Sequence, residues 1–163
     1  MDSLKITSEL KFYPAIDDLN EADKELIKKA FAASEKAYAP YSNFFVGAAV
    51  RLSDGLELTG SNQENVAFPS GLCAERVVAF YAKALHPDKK INTIAIVAVG
   101  NDVSTEGIVS PCGSCRQALI EYEQNDQEPI RLLMVNQKME VYESASVQNL
   151  LPYFFSSSAI ARK

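Results

Sequence analysis

The chain contains three cysteines, and they lie in two stretches that each begin a predicted helix. Cys73 comes shortly before residues 77–85. Cys115 is the first residue of the run 115–122, and Cys112 comes three residues before it. Both runs repeat apolar residues at helical spacing. The N-terminus of a helix carries partial positive charge, which favours the thiolate over the thiol, and the thiolate is the form that binds metal. The fold is therefore expected to bring two helix N-termini together around one ion.

The number and spacing of these thiols are typical of a catalytic zinc site. Cys112 and Cys115 supply two ligands from one turn and Cys73 supplies a third, whereas Zn²⁺ takes four, so one position stays open. Glu75 lies two residues after a ligand, and a carboxylate beside the open position can act as a general acid and base. A Cys-x-x-Cys pair by itself also occurs in thioredoxin-like redox proteins and in structural zinc sites.

Size and charge narrow the class of protein. With 163 residues and 47% hydrophobic residues, the chain has the size of one compact domain. Its net charge of −5 and pI of 4.9 provide no positive field for a phosphate backbone, so nucleic acid is not expected as a partner. The sequence shows neither a signal-peptide pattern nor an apolar run of membrane-spanning length. Because metal-bound cysteines suit a reducing compartment, we expect a cytoplasmic protein.

Periodicity and turn residues predict an α/β fold. An N-cap at Asn20 and a broad apolar face predict a helix that ends before Pro40. The Asp54-Gly55 dipeptide between two apolar runs predicts a β-hairpin. Residues 91–99 form a near-continuous apolar run that suits a central strand. Only residues 136–138 separate two later strands, and so short a link can join antiparallel neighbours only.

Two motifs resemble those of the cytidine deaminase family. The stretch Cys73-Ala74-Glu75-Arg76 matches its C-A-E-R, and residues 111–117 match its P-C-x-x-C-R-Q. Residues 41–49 and 147–155 resemble two further family patterns. The ligand set of three cysteines is similar to that of the small free-nucleoside deaminases. The resemblance implies a three-layer α/β/α sandwich around a mixed five-stranded sheet, with both zinc helices on one face.

The resemblance covers most of the chain and implies three regions. Residues 21–156 would form the zinc domain. Residues 1–20 would be an N-terminal extension of unknown role; its loose alternation ahead of Pro14 indicates a surface strand or a mobile arm. Residues 157–163 would be a C-terminal tail.

The resemblance also implies roles for single residues. Zn²⁺ would be held by the three cysteines, and Glu75 would transfer protons. Three thiolates exceed the charge of Zn²⁺, so a guanidinium at Arg76 that donates to the sulfurs would offset the excess. The substrate would be contacted by residues that match the family's nucleoside pocket: Phe44 below the pyrimidine, Asn62 and Glu64 at the ribose 3′-hydroxyl, Ala74 beside the metal, and Phe155 from a neighbouring subunit.

The implied reaction is the hydrolytic deamination of cytidine and 2′-deoxycytidine to the uridines, in pyrimidine salvage, by a homotetramer whose sites are completed by neighbouring subunits. Two alternatives stay open: a deaminase of a related cytosine nucleoside such as blasticidin S, and a non-catalytic zinc-stabilised module. The sequence departs from the family pattern at Phe68, where the family often has Tyr, and at Ser156, which replaces a common Gly.

Overall fold

The computed structural model describes residues 3–100, 107–156 and 160. Within this part of the chain, six strands and three α-helices form an α/β fold. In chain order these elements are β1 (Lys11–Tyr13), α1 (Glu21–Ser34), β2 (Phe45–Leu52), β3 (Glu57–Ser61), α2 (Ala74–Leu85), β4 (Ile91–Val99), α3 (Gly113–Asp126), β5 (Arg131–Val135) and β6 (Val141–Ser144).

The strands form one mixed sheet in the order β1-β6-β5-β4-β2-β3. Strands β4 and β5 are parallel and are joined through α3, whereas all other neighbours are antiparallel. The short link between β5 and β6 therefore joins antiparallel neighbours, as predicted. In this link the side-chain oxygen of Asn136 accepts hydrogen bonds from the backbone N–H groups of Lys138 and Glu140, both at 3.0 Å, which closes the turn.

The predicted number of five strands is wrong, because the N-terminal extension adds β1 as a sixth. Lys11 pairs with Glu143 and Tyr13 pairs with Val141 along the edge of β6. The Tyr13 hydroxyl also donates to the Glu143 carboxylate at 2.9 Å. A three-residue strand is stabilised mainly by pairing with the free edge of its partner strand. The alternation of its own residues does not show that such an edge is available.

Helices cover both faces of the sheet, which confirms the three-layer sandwich. Helix α1 packs Leu26, Ile27 and Ala30 against one face. Helices α2 and α3 pack on the other face, where Val78 and Leu119 belong to the same buried cluster. The two helices that follow the cysteines therefore share a face, as predicted.

Local signals fixed most of the helix ends. The Asn20 side chain accepts a hydrogen bond from the Asp23 backbone N–H at 3.0 Å, so α1 begins at the predicted cap. It ends at Ser34, several residues ahead of Pro40, where the Ser34 hydroxyl bonds back to the Phe31 carbonyl at 2.7 Å. Helix α2 ends at Leu85, directly before the only histidine and a proline. None of the helices in the described ranges has the length and apolarity needed to cross a membrane.

Of the predicted C-terminal tail, residues 157–159 and 161–163 lie outside the described residues. The segment just before the tail contains a single turn of 3₁₀ helix, Gln148–Leu150.

Candidate zinc centre and its cavity

The three cysteines meet where two helices begin. Cys73 is the N-cap of α2, Cys112 is the N-cap of α3, and Cys115 lies in the first turn of α3. Their sulfur atoms are 3.9 Å apart between Cys73 and Cys112 and 3.5 Å apart between Cys112 and Cys115. All three sulfurs lie within 4.8 Å of one another. The predicted convergence of two helix N-termini is therefore present.

The cluster has the size and chemistry that zinc requires. Zinc–sulfur bonds of about 2.3 Å in a tetrahedral arrangement separate the sulfurs by about 3.8 Å, which is close to the separations here. The described residues that contribute ligand atoms to the cluster are three cysteines, so a fourth position stays open. Three thiolates and an open position are the donor set of a catalytic rather than a structural zinc site.

The surroundings of Cys73 favour its thiolate. A hydrogen bond from the Cys115 thiol, and a weaker contribution from Arg76, lower the pKa of Cys73 to about 5, although burial acts in the opposite direction. The Arg76 Nη2 atom lies 4.0 Å from the Cys73 sulfur. The buried Nε atom of Arg76 has no hydrogen-bond partner among the described residues. Arg76 thus brings its positive charge close to the sulfurs.

Glu75 lies beside the cysteines but is not part of the cluster. It is only 5% exposed and contributes to the wall of the cavity in front of the cluster. Burial raises the pKa of its carboxyl group, and the nearby Cys73 thiolate adds to that increase. A carboxyl group placed in this way is available for proton transfer without taking the open ligand position.

A cavity of about 640 Å³ lies in front of the cluster. It brings together seven of the residues that the sequence predicted: Phe44, Asn62, Glu64, Cys73, Glu75, Arg76 and Cys112. Cys115 is buried behind them, at the back of the sulfur cluster. Ala74 is fully buried and is not among the lining residues. Phe155 does not line this cavity either, and it is 65% exposed.

Asn62 holds the chain at the beginning of β2. Its side-chain oxygen accepts from the Val46 backbone N–H at 2.8 Å, and its amide nitrogen donates to the Phe44 carbonyl at 2.9 Å. Phe44 is partly buried and packs against the core cluster below the cavity. Asn62 therefore fixes the position of Phe44 as well as lining the cavity, a second role that the sequence did not indicate.

Glu64 holds the neighbouring loop. Its carboxylate accepts from the backbone N–H groups of Tyr41 and Ser42, at 2.9 and 3.3 Å, and from the Ser42 hydroxyl. These hydrogen bonds lower the pKa of Glu64, so it is ionised at neutral pH. The sequence analysis assigned no role to Ser42, because its contact with Glu64 joins residues 22 positions apart.

Other residues that line the cavity were not predicted from the sequence. Ile96 comes from the middle of β4, and Val109 and Ser110 come from the loop that leads to Cys112. Ile96 gave the same signal as any buried strand residue. Ser110 directly precedes the proline of the zinc motif, and that proximity is the one signal that could have indicated it.

Comparison with known proteins agrees with this geometry. Residues 20–127 match the family model described as "Cytidine and deoxycytidylate deaminase zinc-binding region". The chain belongs to this family. The match includes all three cysteines and Glu75, so the family's zinc-binding region coincides with the cluster described above.

The alignments with individual relatives of this deaminase cover nearly the whole length of those proteins. A cytidine deaminase from Sporosarcina psychrophila is 39% identical over 138 residues, which are 85% of this chain and 94% of that protein. A probable cytidine deaminase from Dictyostelium discoideum is 32% identical over 89% of this chain and 92% of that protein. The crystal structure of the Burkholderia pseudomallei cytidine deaminase superposes with a TM-score of 0.69 at 39% identity, covering 80% of this chain and 97% of that one.

Proposed function

We propose that this protein catalyses the hydrolytic deamination of cytidine and 2′-deoxycytidine, which yields the corresponding uridine and ammonia. The observation that carries the proposal is the position of Glu75, which lines the cavity beside three converging cysteine sulfurs. Membership of the deaminase family and relatives named cytidine deaminases support it. The reaction belongs to pyrimidine salvage.

The chemistry divides between the metal and Glu75. Cys73, Cys112 and Cys115 would hold Zn²⁺, which would supply a Lewis acid that makes a water molecule more acidic. Glu75 accepts a proton from that water and donates it to ring N3 while the water oxygen adds to C4. Glu75 then moves the second proton of the water to the amino group, which leaves as ammonia. One water is consumed, and the carboxylate is restored.

The residues at the other side of the cavity suit a nucleoside. An ionised carboxylate has about four acceptor positions, and Glu64 uses three of them on the Tyr41–Ser42 loop. We propose that the remaining position accepts the ribose 3′-hydroxyl, with the second amide hydrogen of Asn62 donating beside it. The negative charge of Glu64 would repel a 3′-phosphate, which favours a free nucleoside over a polynucleotide. Phe44 would support the pyrimidine ring from below.

One substrate panel tests this function. The zinc-loaded protein is incubated separately with cytidine, 2′-deoxycytidine, cytosine, CMP and blasticidin S, and the loss of ultraviolet absorbance is followed. We expect turnover of the first two compounds. Turnover of blasticidin S alone would mean that the substrate is a related cytosine nucleoside. No turnover of any of the five compounds, by protein shown to contain zinc, would indicate a non-catalytic zinc module.

We also propose that the protein is a cytoplasmic homotetramer whose sites are completed by neighbouring subunits. Exposed aromatic residues support an assembly: Tyr153 and Phe155 are 69% and 65% exposed, and Phe68 at the cavity is 74% exposed. Exposed aromatic clusters are typical of interfaces.

Truncation tests the assembly. A chain that ends before Tyr153 is expected to assemble more weakly and to have a higher KM for cytidine, while keeping its zinc. A chain that ends after Ser156 is the control for removal of the tail alone. Sedimentation and kinetics decide: a chain truncated before Tyr153 that stayed tetrameric with a normal KM would contradict the assembly.

A further inference from the structure

The C-terminal segment, residues 147–156, is held in place by side chains of α3. The buried carboxylate of Glu123 accepts hydrogen bonds from the backbone N–H groups of Val147 and Gln148 at 2.7 and 3.0 Å. It also accepts from the Ile130 N–H at 2.8 Å. The two bonds to Val147 and Gln148 fix the start of the segment at the end of the helix that is far from the zinc centre.

A second attachment is close to the metal ligands. Arg116 donates to the Leu150 carbonyl at 2.9 Å. The same guanidinium donates to the Ser110 hydroxyl at 2.6 Å and to the Pro111 carbonyl at 2.8 Å, in the loop just before Cys112. The segment and the ligand loop are thereby joined by one rigid, planar group.

The third attachment holds Phe155 at two atoms. The Gln117 side-chain nitrogen donates to the Phe155 carbonyl at 2.7 Å, and the Gln117 side-chain oxygen accepts from the Phe155 N–H at 3.2 Å. One amide side chain therefore pairs with both polar groups of one residue, as a neighbouring strand would. Gln117 lies two residues after Cys115 on the same helix. The contact therefore fixes the position of Phe155 relative to the zinc centre.

The Phe155 ring is not used to hold the segment. Its neighbour Phe154 packs against the core cluster, whereas Phe155 is 65% exposed and does not line the cavity of its own subunit. A packing anchor would bury its ring and leave its backbone less constrained. Here the backbone is fixed and the residue is largely exposed, which is the arrangement expected of an aromatic residue that is offered to another molecule.

We infer that Gln117 is a positioning residue, which fixes Phe155 so that its ring enters the nucleoside site of a second copy of this chain. This inference rests on the proposed function and assembly, and it adds the group that sets the reach of the aromatic side chain. Gln117 itself touches neither the substrate nor the metal. Its effect is therefore on substrate binding rather than on the chemical step.

Gln117→Met tests the inference, since methionine has nearly the same length but cannot make either hydrogen bond. We expect the KM for cytidine to rise about tenfold, the effect of losing one base–aromatic stacking contact, with unchanged kcat, zinc content and sedimentation. Gln124→Met is the matched control, because Gln124 lies on the same helix and, among the described residues, its side chain donates to the Gln148 side chain at 3.4 Å and not to the backbone of the segment. A wild-type KM for Gln117→Met, a fall in kcat at constant KM, or the same KM rise in the control would overturn the inference.

Mixed oligomers test whether the aromatic residue acts on a neighbour. Subunits with Gln117→Met are co-expressed with subunits that carry Glu75→Gln, which lack their own proton transfer but present Phe155 normally. We expect a population of sites with the wild-type KM to appear, because sites with an intact Glu75 then receive Phe155 from the other subunit type. A KM that stayed uniformly high in purified mixed oligomers would show that Phe155 serves its own subunit.

Hydrogen exchange tests the clamp independently of activity. The Phe155 amide should exchange faster in Gln117→Met than in the wild type or in Gln124→Met, and unchanged exchange would overturn the inference. Absence of deamination by the wild type would instead contradict the proposed function, and the exchange experiment would still report on Gln117.

Discussion

Gly47 of β2 lies directly against the backbone of Ala30 in α1. A Cβ atom placed on Gly47 would be 1.9 Å from the Ala30 carbonyl oxygen and 2.5 Å from the Ser34 backbone nitrogen. Both contacts are with main-chain atoms, which cannot move aside by a change of rotamer. The close approach of this helix to the sheet therefore depends on the absence of a side chain at Gly47, three residues after Phe44 in the loop that Asn62 and Glu64 hold.

Gly47→Ala is accordingly expected to destabilise the protein by about 3 kcal/mol, the upper part of the usual range for overpacking. Gly107→Ala is a suitable control, because no atom of the described residues lies within 4 Å of a Cβ atom at that position. Urea unfolding followed by circular dichroism measures both. Equal midpoints for the two variants would contradict the packing argument.

Glu75→Gln is expected to lower kcat by about 10²- to 10⁴-fold, because it keeps the shape of the side chain and removes only its ability to carry a proton. Zinc content and the midpoint of unfolding should be close to those of the wild type. Glu121→Gln, at an exposed position of α3, is the control for the same chemical change. Substantial turnover by Glu75→Gln would mean that another group moves the protons.

Arg76→Gln is expected to reduce kcat about tenfold, within the range found when groups that contact metal ligands are replaced. The reason is electrostatic: the guanidinium 4.0 Å from the Cys73 sulfur offsets the charge of the thiolates. Arg76→Lys keeps the charge and should recover part of the rate. Kinetics combined with zinc competition by a chelator would separate the two contributions, and a variant whose only defect was zinc loss would contradict this role.

Acid should destabilise the protein through Asp23, a buried residue in the first turn of α1. Burial alone would raise the pKa of Asp23, but hydrogen bonds from Arg131, Asn20 and Arg51 outweigh it, so the pKa is lowered. The contribution is then complete above the unfolded-state pKa of about 3.9, and it is lost as the pH falls through the lower folded-state value. The unfolded chain binds more protons in this range, so the free energy of unfolding decreases with acid.

Asp23→Asn should lower the free energy of unfolding at pH 7 by about 3 kcal/mol, because Arg131 loses a buried partner at 3.0 Å. The variant should also lose less stability than the wild type between pH 5 and pH 2. Glu25→Gln, which removes an exposed ion pair with Lys28, serves as the control and should change stability by less than about 1 kcal/mol. Parallel pH profiles for wild type and Asp23→Asn would exclude Asp23 as the source.

The sequence predicted the zinc centre well because its information is local. A thiol at a helix N-terminus, and a second one three residues along, constrain the backbone within one turn, and the structure places Cys73, Cys112 and Cys115 together as expected. The antiparallel link after β5 also follows from chain length alone.

What the sequence did not reveal depends on contacts between distant residues. The hold of Asn62 on Phe44 spans 18 positions, and that of Gln117 on Phe155 spans 38. Such side-chain-to-backbone bonds leave no periodicity, so Gln117 could be recognised only as part of a motif. The alternation before Pro14 left a surface strand or a mobile arm open, and the pairing of β1 with the sheet was not predicted for the same reason, since its partner β6 lies about 130 positions further along the chain.

The pairing of β1 with β6 also imposes an order on the folding of the chain during its synthesis. The Tyr13–Glu143 contact joins residues 130 positions apart. At ribosomal rates of 5–20 residues per second, β1 emerges roughly 10 s before its partner is made. During that interval the first strand has no edge to join, and the sheet can grow only from the β2–β3 hairpin outward. The last edge of the sheet thus closes only after β6 has been made, with a strand that was synthesised well before it.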